Sequence, residues 1–176
     1  MRPTLQLSAC QNAGFTLLEL VIVIIIIGIL AAVALPRLID AQRDARIAKA
    51  NTIHGSIRSA AALARLRCEL DLTANLANLP AANCQANPPR INMDGKVVHI
   101  VNRYPAASAD GIQVAADIDP VSNGLTINNR SSSGTPTLDF DILGGTSPNC
   151  RVSYQEATLT GAVITAPVIT VVTSGC

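Results

Sequence analysis

Gly14-Phe15-Thr16-Leu17-Leu18-Glu19-Leu20 opens an apolar run that continues to Leu35, with one carboxylate near its start. From Phe15 to Leu35 only Thr16, Glu19 and Gly28 interrupt Leu, Ile, Val, Ala and Phe. As a helix the run is about 31 Å long, enough to cross a bilayer. A charged side chain at a bilayer centre costs about 2.5–3.5 kcal/mol on insertion scales, so an intramembrane acid marks function. Glu19 needs a partner, and the sequence must supply one.

Three readings compete for this run. A helix buried in a soluble domain would rarely be apolar on every face at this length. A secretory signal peptide is suggested by Ala32-Val33-Ala34, an A-x-A site. Against it, the run exceeds the usual 7–15 apolar residues, Glu19 interrupts it, and Pro36 falls two residues past the cut. The third reading rests on register. Gly14-Phe15-Thr16-Leu17-Leu18-Glu19 resembles the processing site of the type IV filament proteins, the type IV pilins and type II secretion pseudopilins.

The resemblance implies a specific chemistry. A prepilin peptidase cuts after Gly14, and Phe15 becomes the N-methylated first residue, with Glu19 fifth. The new amine on Phe15 is positive, and Glu19 of a neighbouring subunit pairs with it when the helices bundle. Gly28 and Pro36 fall where many family members carry a helix-loosening Gly and Pro. The leader, Met1 to Gly14, holds one basic residue, Arg2, whereas Arg37, Arg43, Arg46 and Lys49 follow the run. The positive-inside rule alone favours the opposite orientation; the motif is weighted above the charge count, with the leader in the cytoplasm.

Composition narrows the remaining functions. The chain has 176 residues, room for one modest domain beside the apolar segment. Net charge is +1, and without the leader the chain is neutral. With only two Phe, two Tyr and no Trp, it lacks the basic surface and stacking platforms of a nucleic-acid binder. No phosphate loop and no Gly-x-Ser-x-Gly elbow occurs. His54 and His99 have no Ser, Cys or acidic neighbour in sequence. No catalytic residue and no cofactor is assigned, and the chain is read as a non-enzyme.

Cys10 lies in the leader, leaving Cys68, Cys84, Cys150 and Cys176. Beyond an inner membrane the compartment is oxidising, so disulfides are expected, and four cysteines allow three pairings. Cys68–Cys84 and Cys150–Cys176 are favoured because each closes a local loop. No Cys-x-x-Cys or Cys/His cluster offers a metal site. Asp117-Ile118-Asp119 with Ser122 and Asn123 offers oxygens but not at calcium-loop spacing. Asn129-Arg130-Ser131 matches a glycosylation acceptor, and Ser131 to Ser133 are candidates for O-modification.

Past Pro36 an apolar stripe recurs at helical spacing: Ile39, Ile47, Ala50, Ile53, Ile57, Ala60, Ala61 and Ala64. Arg37, Asp40, Arg43, Asp44, Arg46 and Lys49 cover the other face. The organisation expected is a leader, 1–14; a transmembrane or filament-core helix, 15–35; an amphipathic continuation, 36–67; and a sheet domain, 68–176. Residues 68–90 read as loop, and Asp94-Gly95 as the turn of a hairpin between 91–93 and 96–100. Ser108 is a candidate cap for a short helix to Ile118. Asn128 to Pro136 reads as a polar loop, followed by strands at 138–142, 151–154, 162–165 and 168–172. Asp139 and Asp141 are expected on a solvated strand face. The fold class is α+β: a long N-terminal helix, apolar then amphipathic, packed on an antiparallel sheet, as in the pilin fold.

The C-terminal loop between Cys150 and Cys176 resembles the disulfide loop of that fold. Pro36-Arg37-Leu38-Ile39-Asp40, Asp44-Ala45-Arg46, Ser59-Ala60-Ala61, Tyr104-Pro105 and Asp110-Gly111-Ile112 are similar to pilins of the mannose-sensitive haemagglutinin type. The resemblance implies a pilus subunit in adhesion, surface attachment or motility, with a type II secretion pseudopilin as the alternative. A membrane-anchored or Sec-exported periplasmic binding domain is the alternative from another class. The partners implied are copies of itself, minor pilins, the prepilin peptidase and an inner-membrane assembly platform with a cytoplasmic ATPase. The precursor would sit in the inner membrane and the mature chain in a surface filament.

Overall fold

The computed structural model describes residues 15–73 and 83–176. The leader to Gly14, with Cys10, lies outside the described residues, as does 74–82 of the expected loop. The chain divides into two units, Met1–Ala41 and Gln42–Cys176.

Helix α1 spans Leu17–Thr73, six residues beyond the end expected at Arg67. Pro36 falls inside it, where its ring nitrogen donates no hydrogen bond. Residues 15–41 expose every side chain, apolar ones included. Downstream the pattern changes. Ala50, Ile53, Ile57, Ala60, Ala61, Ala64 and Cys68 are buried along one face, at the three- and four-residue steps that line up on a helix. The small alanines let the sheet approach closely.

Two antiparallel sheets receive that face. In the first, β1 (Arg90–Met93), β2 (Lys96–Val101) and β3 (Tyr104–Pro105) lie in the order β1-β2-β3. Asp94 and Gly95 both take positive φ and close the β1–β2 turn, the geometry that Asp-Gly favours. Ile91, Val98 and Ile100 pack with Ala64 and Cys68. The second sheet is built from β4 (Leu125–Ser132), β5 (Thr135–Ile142), β6 (Arg151–Gln155) and β9 (Val168–Val172) in the order β4-β5-β6-β9. The short hairpin β7 (Thr158–Thr160) and β8 (Val163–Thr165) interrupts it in sequence. Leu138, Phe140, Val152 and Tyr154 are fully buried in one cluster with Ala50, Ile57, Ala60 and Ala61. The buried Tyr154 hydroxyl donates to Pro105 O at 2.7 Å.

Three expectations are corrected. Asn128 to Pro136 is a hairpin, not a loop: β4 and β5 pair from Leu125↔Ile142 to Ser132↔Thr135. Ser133 and Gly134, both at positive φ, form the two-residue turn. Secondly, Asp139 and Asp141 are buried. They point away from the apolar core, since 138, 140 and 142 take the other face of the strand. Arginines cover them: Arg130 Nε donates to Asp139 at 2.9 Å, and Arg151 donates to Asp139 at 3.0 Å and to Asp141 at 2.7 and 2.9 Å. Asn128 Nδ2 donates to Asp141 at 2.9 Å. Thirdly, Ser108 makes no side-chain cap to the backbone; its hydroxyl donates to Asp110 instead. The segment after it is a π-helical turn, Ala109–Gln113, within which Gly111 is non-helical. A Cβ on Gly111 would lie 2.2 Å from Ala106 O, so the backbone passes where only glycine fits.

Candidate assembly site

The start of α1 is fixed by its own first turn. Thr16 precedes the helix, and its Oγ1 accepts a hydrogen bond from the Glu19 N–H at 3.2 Å. Thr16 O accepts from the Leu20 N–H at 3.2 Å. Thr16-x-x-Glu19 is therefore the S/T-x-x-E arrangement of a capping box, with Thr16 at the cap and Glu19 at the third helical position. The Thr16–Glu19 spacing is legible in the sequence. A negative side chain in a first turn also lies at the positive end of the helix dipole.

Glu19 is exposed and makes no ion pair among the described residues. Phe15 is exposed beside it, and from Leu17 to Leu35 the helix offers apolar side chains on all faces. The helix is long and apolar enough to cross a membrane, and none of its most apolar stretch is buried. Gly28 has open space where a Cβ would stand.

The disulfides lie in the other unit. Cys68, on α1, is bonded to Cys84, and Cys150, at the start of β6, to Cys176. Asp71 reinforces the first link, accepting from the Cys84 N–H at 3.3 Å and pairing with Arg67 at 3.3 Å. Arg46 Nε donates to Cys176 O, tying the second loop to α1.

The other candidates resolve into local chemistry. Asp119 accepts from the Ser122 N–H at 3.0 Å and from the Ser122 hydroxyl, and Asn123 Oδ1 accepts from the Asp119 N–H at 3.0 Å. The Ser122 hydroxyl and N–H bonds hold the Asp119 carboxyl below the usual carboxylate range. Asp117 pairs with Lys96. No group of three His, Cys, Asp or Glu able to hold a metal occurs among the described residues. His99 Nδ1 lies 3.3 Å from Asp110, a partner eleven residues away that the sequence did not reveal. His54 lies on α1, half-buried. Asn129, Arg130 and Ser131 all sit in β4, where Arg130 is committed to Asp139.

Residues 10–35 match the family model for the prokaryotic N-terminal methylation motif. The chain is 46% identical over 56 residues to the type IV narrow pilus major component PilA5 of Thermus thermophilus, covering 32% of this chain and 48% of that protein. It is 52% identical over 42 residues to the type IV major pilin protein PilA of Myxococcus xanthus, covering 24% of this chain and 19% of that one. The matches thus span about half of the first relative and about a fifth of the second. No solved structure matches the chain.

A long N-terminal helix on antiparallel sheets makes the fold α+β, the class expected from the sequence. The stretches matched are thus similar to a prokaryotic N-terminal methylation motif and to two type IV pilins. The mannose-sensitive haemagglutinin subtype finds no confirmation in them.

Proposed function

We propose that this chain is the precursor of a structural subunit of a type IV pilus, a filament protein and not an enzyme. The observation that supports the reading most is the stretch of α1 from Leu17 to Leu35, which offers apolar side chains on all faces and is exposed among the described residues. Burying such a surface stabilises by about 25 cal/mol per Å², so it seeks either a bilayer or copies of itself. A motif for N-terminal methylation at its start favours a passage from the first to the second.

In this account the precursor rests in the inner membrane with residues 1–14 in the cytoplasm. The prepilin peptidase cuts between Gly14 and Phe15 and methylates the new amine. The assembly platform, driven by its cytoplasmic ATPase, then moves the subunit out of the membrane into a filament, alongside minor pilins. Glu19 neutralises the Phe15 amine of a neighbour, which removes the cost of two unpaired charges in an apolar bundle. Gly28 and Pro36 loosen the helix for packing, since glycine and proline are the poorest helix formers. The two disulfides hold the outward-facing domain, which carries attachment or motility.

Electron microscopy with antibody labelling tests this reading. Cells producing the chain should bear labelled surface filaments, and cells deleted for it should lose them. Labelling confined to the cell membrane would contradict it.

A further inference from the structure

The four-stranded sheet has two free lateral edges, β4 and β9, separated by three strand spacings or about 14 Å. Each edge carries a feature left unmatched among the described residues.

Beside β9 lies a groove of about 660 Å³ between α1 and the β8–β9 connection. Ala62, Leu66, Pro167 and Ile169 supply apolar lining, and Arg58 and Arg65 supply charge. Arg65 is already occupied: it stacks on the Tyr104 ring at 5.4 Å and donates to the Tyr104 hydroxyl at 2.7 Å. Glu69, the acid in the lining, is answered by Arg103 at 2.8 Å. Arg58 is exposed and pairs with nothing among the described residues. Leu66 stands 61% exposed.

Next to β4 the chain projects a rigid knob, 119–124. Its turn is held by the Asp119–Ser122 and Asp119–Asn123 bonds, by the Gly124 N–H to Val121 O at 3.1 Å, and by the Leu125 N–H to Pro120 O at 2.8 Å. At its tip Val121 is 89% exposed. Beside it the Asp119 carboxylate accepts from the neutral Ser122 donors and has no cationic partner among the described residues. An ordered turn is thus displaying an apolar side chain and an anion to solvent.

We propose that the groove beside β9 receives the Val121 knob of a second copy of this chain, with Val121 against Leu66 and Asp119 facing Arg58. The two surfaces match in apolar character and in charge, and they lie at opposite edges of one sheet. Such a contact is heterologous: each copy offers a knob on one side and a groove on the other, so the contact repeats into a ring or an open helix rather than closing as a dimer. The inference rests on the pilus reading and adds a lateral contact between sheet domains to the apolar helix bundle.

Charge exchange tests it with full-length chain made in cells lacking the chromosomal copy, comparing sheared filaments with total chain. Val121→Asp sets an anion against Leu66, and Leu66→Lys sets a cation against Val121; the two changes together set opposite charges face to face. Both sites are exposed, so neither change threatens the fold. Each single variant should lower the filament fraction by about tenfold at unchanged total chain, since an unpaired charge held against an apolar side chain disfavours association. The double variant should restore it. Normal filaments from either single variant, or no rescue in the double, would overturn the contact while leaving the pilus reading intact. An absence of filaments from the unaltered chain would instead remove the pilus reading, and the contact with it.

Discussion

Thr16 and Glu19 close the first turn of α1 upon themselves, the Glu19 amide donating to Thr16 Oγ1 at 3.2 Å. The Glu19 backbone amide thus serves the cap, while its side chain carries the charge assigned to assembly. The two roles make different demands. Any residue but proline supplies that amide, whereas neutralising an amine requires the charge.

Glu19→Ala and Glu19→Gln separate them. Cleavage after Gly14 should survive in both, because the cut site is untouched. Assembly should fail in both, with the filament fraction falling by at least about tenfold. Immunoblots of membrane and sheared fractions read both steps. Normal filaments from either variant would contradict the charge-pairing role of Glu19.

The C-terminal loop should depend on its link. Cys150 and Cys176 are separated by 26 residues, and opening a loop of that length costs roughly 3–4 kcal/mol in the chain-entropy account. Denaturant unfolding of the full chain in detergent should show that loss in Cys150→Ser. Cys68→Ser opens a separation of 16 and should cost about 3 kcal/mol.

Asp139 should make stability depend on acid. Burial pushes its carboxyl up, but the Arg130 hydrogen bonds, Ser153 across the strand pair and the charge of Arg151 outweigh this, so its pKa is lowered overall. A carboxylate with a lowered folded pKa stabilises the fold above its unfolded value, near 4, and this contribution is lost as pH falls through the lower folded value. The native chain should lose stability steadily below about pH 4. Asp139→Asn should be weaker by about 2 kcal/mol at neutral pH, the scale of a charge-assisted bond lost, with a flatter acid limb. Denaturation midpoints at pH 3 to 7 measure both.

The Asp139 network also marks where sequence reading stops. The apolar run, the downstream alanine stripe and the Asp94-Gly95 hairpin are local patterns, legible from period and turn chemistry. The strand Asn128 to Ser132 is polar throughout, and polarity reads as loop. Its place in the sheet depends on Asn128 and Arg130 meeting Asp141 and Asp139 across a turn, and on Arg151 arriving from the next strand. No window along the chain contains that arrangement. Ser108 failed for a related reason: Asp110, two residues on, captures its hydroxyl before the backbone can. The Thr16–Glu19 spacing, by contrast, is legible in the sequence.

The central claim is that the apolar helix begins, in the working protein, at a methylated Phe15. Mass spectrometry of the N-terminal peptide from mature chain tests it most directly. The account predicts a peptide that starts at Phe15 and carries one extra methyl group on its amine. A start at Leu35, or an intact Met1, would contradict it.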